Sequence, residues 1–247
     1  MVTIRCENLE FKDIEAIIFD KDGTLEDSNN FLRELSIRRA RLLDAEIPGI
    51  GEPLLMAFGL QDGQLDPTGL MAVGSPQENL IAAAAYIAET GRSWFESLEI
   101  AKNAFREVDK YLKKDRTTSP LFTGSLEVLK TLSETGLKLG ILSASPTKDV
   151  EHFVQEHKLF KYIQLMMGGD QGLSKPDPKL FIRACEMIKT SPNKTLMVGD
   201  SQGDITMAKQ AGVAGTIGIC WANQIVSHLD EADIIINQIE AIQLSKP

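Results

Sequence analysis

Short, nearly uninterrupted apolar runs recur along the chain, most of them ending on small or acidic residues. EAIIFD (15–20), LKLGILS (137–143), YIQLMMGG (162–169) and TLMVGD (195–200) are followed by GTIGI (215–219) and ADIII (232–236). Runs of this length without polar alternation predict strands covered on both faces, as in a parallel sheet. Helical patterns separate them. Residues 124–135 stop at Gly136 and 203–211 at Gly212, each glycine suited to a helix C-terminus. Ser145-Pro146 and Asp177-Pro178 each pair a good N-cap with proline at the first helical position. From about 121 onward helix and strand alternate, which predicts a doubly wound, Rossmann-like α/β core.

Between the first run and this repeating region lies an insert of roughly 90 residues, far longer than an ordinary connection. Residues 29–46 and 78–90 read as helices. In 94–112, Trp94, Leu98, Ala101, Phe105, Val108 and Leu112 recur at three- and four-residue steps and form one apolar stripe, the mark of a packed helix face. The stretch 46–76 is rich in Gly and Pro and predicts a loop across the insert. The expected organisation is a core of 1–26 with 119–247, interrupted by a helical cap of 27–118, with hinges near 25–28 and 115–120.

Composition narrows the partners. A formal net charge of −9, from 35 acidic and 26 basic residues, disfavours nucleic acid, whose phosphates bind through Lys and Arg. Cys6, Cys185 and Cys220 show no metal-binding spacing and read as reduced, mostly buried thiols. The charged beginning MVTIRCENLEFKD lacks a signal-peptide run, and no stretch reaches the ~20 apolar residues of a membrane helix. The expectation is a cytoplasmic protein without membrane contact, as monomer or homodimer.

The candidate chemistry sits at the ends of the predicted strands, where ligands bind in parallel α/β sheets. Asp20 and Asp22 end the first strand, and a spacing of two puts both side chains on one side of an extended backbone. Taken alone this is an acidic turn, since Asp-Gly is a common turn pair. Recurrence changes the weight: Asp200 and Asp204, in VGDSQGD, also follow an apolar run. Carboxylates clustered at strand ends are the hard ligands that Mg²⁺ prefers, and Mg²⁺ pairs with phosphate. Ser143 and Ser145 lie where a strand gives way to a helix, so a hydroxyl and free N–H groups there can hold a phosphate oxygen. Lys175, in the loop LSKPDP, can neutralise phosphate charge.

DKDGT, the Ser143 strand end, SKP and GDSQGD stand in the order and positions of the four motifs of the haloacid dehalogenase superfamily. The chain resembles its helical-capped, phosphoglycolate phosphatase-like members. The resemblance implies a hydrolase in which Asp20 is the nucleophile, forming an aspartyl-phosphate, and Asp22 the general acid and base. It implies Mg²⁺ held by Asp20, the backbone carbonyl of Asp22 and Asp200, with Asp204 close by. Ser143, Ala144 and Lys175 would bind the phosphoryl oxygens, and Lys175 would steady Asp20. The dehalogenases themselves lack the second aspartate and need no metal, so Asp22 points to phosphoryl transfer. β-Phosphoglucomutase-like enzymes share the same motifs and are the alternative; phosphonate hydrolases and a non-catalytic module are more distant ones.

Substrate choice is expected from the cap closing over the core. Arg33, Arg38, Arg39 and Arg41 cannot all share one helix face; one turned inward could bind a substrate carboxylate bidentately, as a phosphoglycolate-like metabolite requires. Asp27 and the loop 74–76 are further candidate neighbours of the substrate.

Overall fold

A computed structural model describes residues 2–170, 172–221 and 227–245. Residues 1 and 246–247, at the margins of the expected core, lie outside the described residues, as do 171 and 222–226. Contacts divide the chain into two units, Met1–Asp27 with Pro120–Pro247, and Ser28–Ser119. The first unit opens with β1 (Val2–Cys6), β2 (Leu9–Ile14) and β3 (Ala16–Phe19). The second holds α1 (Asn29–Glu46), α2 (Gly51–Phe58), the short strands β4 (Leu60–Gln61) and β5 (Gln64–Leu65), α3 (Leu70–Val73), α4 (Pro76–Glu89) and α5 (Trp94–Tyr111). The chain returns to the first unit with α6 (Ser125–Ser133), β6 (Lys138–Leu142), α7 (Thr147–Glu156), β7 (Leu165–Met167), α8 (Pro178–Met187), β8 (Thr195–Gly199), α9 (Gln202–Gln210), β9 (Gly215–Ile219), β10 (Ile234–Ile236) and β11 (Ile242–Leu244).

Each of the six apolar runs contains one strand of a six-stranded sheet, ordered β10-β9-β8-β3-β6-β7 and parallel throughout. Alternate residues of a strand face opposite sides, and both sides are covered. Ile17, Phe19, Ile141 and Val198 pack with Val128, Leu129 and Leu132 of α6 and Val150, Phe153 and Val154 of α7. Ala16, Ile18, Leu142 and Met197 pack with Leu180, Phe181 and Ala184 of α8 and Met207 and Ala208 of α9. Double coverage is why these strands carry no polar alternation. The architecture is the doubly wound, Rossmann-like α/β fold that the alternation predicts.

Three features differ from the sequence reading. A second, antiparallel sheet β11-β1-β2 joins the two ends of the core unit. Its strands β1 and β2 mix buried with exposed positions, and so carry no long apolar run. The stretch 46–76 is not a plain loop, for it contains α2, the β4–β5 hairpin and α3. That hairpin turns on Asp62-Gly63, both at positive φ, the pair that a two-residue hairpin favours. Finally, Pro146 rather than Ser145 occupies the N-cap of α7. Ser145 is tied to the strand-end loop instead: its N–H donates to Ser143 Oγ at 3.1 Å and its carbonyl accepts from Gly169 N–H at 3.1 Å. Asp177 does cap α8, accepting from the Lys179 N–H at 2.9 Å.

The Ser28–Ser119 unit is a set of helices around Leu43, Leu54, Phe58, Ala83, Ile87, Ala101, Phe105 and Val108. The middle of the α5 stripe is buried, while Trp94 at its start is exposed. Of the four arginines on α1, Arg39 is the buried one: its guanidinium lies 4.0 Å over the Phe105 ring and donates to Asp109 Oδ1 at 3.0 Å. Arg38 pairs with Glu34 on the surface. Asp27, in the core unit, donates its N–H to the Pro120 carbonyl at 2.8 Å, so the two points where the chain leaves and re-enters that unit are neighbours. Among the described residues no helix is long and apolar enough to cross a membrane.

Candidate active site

Strands β3, β6 and β8 end level with one another, because Phe19 is in register with Ile141 on one flank and Val198 on the other. The sheet order reverses about these strands, which in α/β folds opens a crevice beyond their C-terminal ends. Asp20 continues the ladder, its N–H donating to the Val198 carbonyl at 2.8 Å. The chain then curls: the N–H groups of Leu25 and Glu26 both donate to the Lys21 carbonyl at 3.0 Å. Gly23 sits in this turn at φ +77°, where a Cβ would stand 1.9 Å from Asp200 Oδ2. Glycine permits both the dihedral and the approach.

Asp204 is placed by the start of α9. Its N–H donates to Ser201 Oγ at 3.2 Å, and its Oδ2 accepts from the Ser201 hydroxyl at 2.7 Å, a reciprocal cap. Oδ1 remains for the Lys175 Nζ, 2.6 Å away. The same ammonium donates to Asp20 Oδ1. Burial by itself disfavours the charged lysine, but Asp20 and Asp204 outweigh it and raise the Lys175 pKa above the ordinary value.

The carboxylates feel the opposite pressure. Burial, with Asp204 and Asp22 nearby, pushes Asp20 up to about 6 despite Lys175. Burial, then Asp20 and Asp204, raises Asp200 well above the usual carboxylate range. Oxygens of Asp20, Asp200 and Asp204 all lie within 4.8 Å of one another. One ammonium against three clustered carboxylates leaves negative charge uncompensated, and an all-oxygen donor set fits a hard divalent cation.

Ser143 is buried at the end of β6, its N–H donating to the Met167 carbonyl at 3.1 Å, and half-buried Ala144 follows. The Asp22 carboxylate stands outside the three-aspartate cluster and meets Lys21 Nζ instead.

A family model for haloacid dehalogenase-like hydrolases matches residues 14–212. The chain belongs to that family. This hydrolase is 29% identical over 213 residues to the phosphoglycolate phosphatase of Vibrio parahaemolyticus, covering 82% of each chain. It is 26% identical over 200 residues to the N-acetylmuramic acid 6-phosphate phosphatase of Pseudomonas putida, covering 81% of this chain and 80% of that one. Its fold superposes on the crystal structure of a predicted phosphoglycolate phosphatase from Haemophilus somnus with a TM-score of 0.67 and 25% identity, covering 91% and 94% of the two chains.

Several residues around the hydrolase's site escaped the sequence reading. Thr24 Oγ1 donates to Asp200 Oδ1 at 3.3 Å, and the Trp221 indole N–H donates to the Thr24 carbonyl at 3.2 Å. Trp221 itself stacks on Phe122, centroids 4.2 Å apart. His228 Nε2 lies 3.1 Å from the Asp200 carbonyl oxygen. Thr24 and Lys21 were visible inside DKDGT; nothing in the sequence ties Phe122, Trp221 or His228 to that motif.

Proposed function

We propose that this hydrolase is a magnesium-dependent phosphatase acting on a small, phosphoglycolate-like phosphomonoester through an aspartyl-phosphate. The observation that carries the reading is the Lys175 ammonium shared by Asp20 and Asp204 at the strand ends, with Asp200 alongside. Two relatives named as phosphatases of small phosphorylated compounds support it.

In this reading an Asp20 carboxylate oxygen attacks phosphorus, the bond from phosphorus to the leaving oxygen breaks, and Asp22 gives that oxygen its proton. Asp22 then removes a proton from water, whose oxygen attacks the same phosphorus. The bond to Asp20 breaks, releasing inorganic phosphate. Lys175 frees its charge for the phosphoryl oxygens as Asp20 becomes an acyl phosphate. The Ser143 hydroxyl oxygen accepts from the Ser145 N–H, leaving its own hydrogen to donate to a phosphoryl oxygen beside the Ala144 backbone. Mg²⁺, held by Asp20, Asp200 and the backbone carbonyl of Asp22 with Asp204 beside it, would supply the positive charge that lets two anions meet. Metabolite chemistry of this kind also makes the cytoplasm the compartment we propose.

The test is phosphate release from a panel of phosphorylated metabolites that includes phosphoglycolate and hexose phosphates. Asp20→Asn should abolish release while the protein still folds, and EDTA should abolish it until Mg²⁺ is restored. Isomerised sugar phosphate without free phosphate would replace the reading by a mutase. Release that survives chelation would refute the metal.

A further inference from the structure

Resting on the roles proposed for Asp20 and Asp22, we infer that Lys21 is a positioning residue: its ammonium orients the Asp22 carboxylate for proton exchange with the leaving oxygen, and Glu26 and His157 hold that ammonium. Neighbouring residues of an extended strand point to opposite faces. The turn after Asp20 overrides this rule and brings Lys21 Nζ onto Asp22 Oδ2. The same Nζ is 3.2 Å from Glu26 Oε2 and 5.8 Å from the centre of the Phe153 ring. Glu26 Oε1 is in turn 3.8 Å from His157 Nε2, and the His157 ring packs against Phe153. The side chains of Lys21, Glu26 and His157 are 3%, 4% and 5% exposed, whereas that of Asp22 is 18% exposed. The chain of ionisable side chains therefore runs from the core outward to Asp22.

Stability is a weak reason for such a chain. Buried ion pairs lose in desolvation much of what they gain in attraction, and apolar residues of similar volume commonly do as well. Direction is the stronger reason. A carboxylate turns easily about its last torsion, and an ammonium on Oδ2 opposes that rotation. The two lysines thus divide the two aspartates, Lys175 serving Asp20 and Lys21 serving Asp22.

The test compares kcat/KM on phosphoglycolate, whose alkoxide leaving group needs a proton, with that on p-nitrophenyl phosphate, whose leaving group does not. Lys21→Met should lower the first about 30- to 100-fold and the second by less than about threefold, since proton donation matters only to the poor leaving group. Lys21→Arg should recover much of the loss. The double variant Lys21→Met/Glu26→Leu, which leaves no buried charge stranded, should reproduce the same split if the single variant folds badly. Equal losses on both substrates, or none on phosphoglycolate, would overturn the inference. Asp20→Asn run in parallel keeps the two readings apart, because turnover surviving in that variant condemns the aspartyl-phosphate, whatever Lys21 does.

Discussion

Gly23 and Asp200 touch so closely that a single added carbon on the glycine would lie 1.9 Å from Asp200 Oδ2. One comes from the turn after β3 and the other from the end of β8, residues far apart in the chain that adjacent strands bring together. The DKDGT turn is shaped against the second acidic pair, and its glycine is part of the site's geometry.

Replacing Gly23 should therefore injure the site more than the fold. Gly23→Ala must adopt φ +77° and push the Asp200 carboxylate aside. Turnover should fall about 100-fold, the scale expected when a reacting group moves by an ångström. Half-maximal activity should require more Mg²⁺ than in the parent, while the circular dichroism spectrum stays that of the parent. An active variant with unchanged Mg²⁺ response would show that Asp200 need not stand where it does.

The raised carboxylates predict an unusual pH dependence for the metal-free protein. Asp20 is pushed from an ordinary 3.8 up to about 6, so the folded state holds a proton that the unfolded state releases. Its contribution to stability is then full below the unfolded value and lost as pH rises through about 6. Asp200 shifts in the same direction. In EDTA, the melting temperature of the parent relative to Asp20→Asn should fall between about pH 4 and pH 7. Added Mg²⁺ should reverse that trend, since it binds the ionised carboxylates and stabilises the state that holds it. A difference that rises with pH in EDTA would contradict the raised value.

Arg39 should matter to the Ser28–Ser119 unit through packing as well as charge. Its guanidinium covers the Phe105 ring and bonds Asp109. Arg39→Ala should cost about 2 kcal/mol, combining the lost cation–π contact with the lost stem packing. Arg39→Lys should recover only part, because an ammonium cannot both lie flat on the ring and reach Asp109 in the same way. Urea unfolding measures both. The inward arginine of α1 is thus engaged by Phe105 and Asp109 of its own unit.

Legibility in the sequence followed the physics of each element. Strands covered on both faces are apolar at nearly every position, so runs such as AIIF and TLMV are legible in the sequence. β1 and β2 bury only some of their residues, Ile4 and Cys6 in the first and Phe11 and Ile14 in the second, so LEFKDI reads as an ordinary charged segment. The capping of α8 was readable because Asp177 and Pro178 act locally. That of α7 was not, because Ser145 is taken by Ser143 and Gly169, partners set by the fold.

The same division runs through the site. DKDGT, Ser143, SKP and GDSQGD carry their chemistry in residue type and order, and the family follows from them by sequence alone. Which oxygen faces which ammonium does not. That Lys175 joins Asp20 to Asp204 while Lys21 meets Asp22 was decided by strand register and by the turn through Gly23. Sequence order records which groups are present; electrostatics depends on distance and burial, and the tertiary structure sets both.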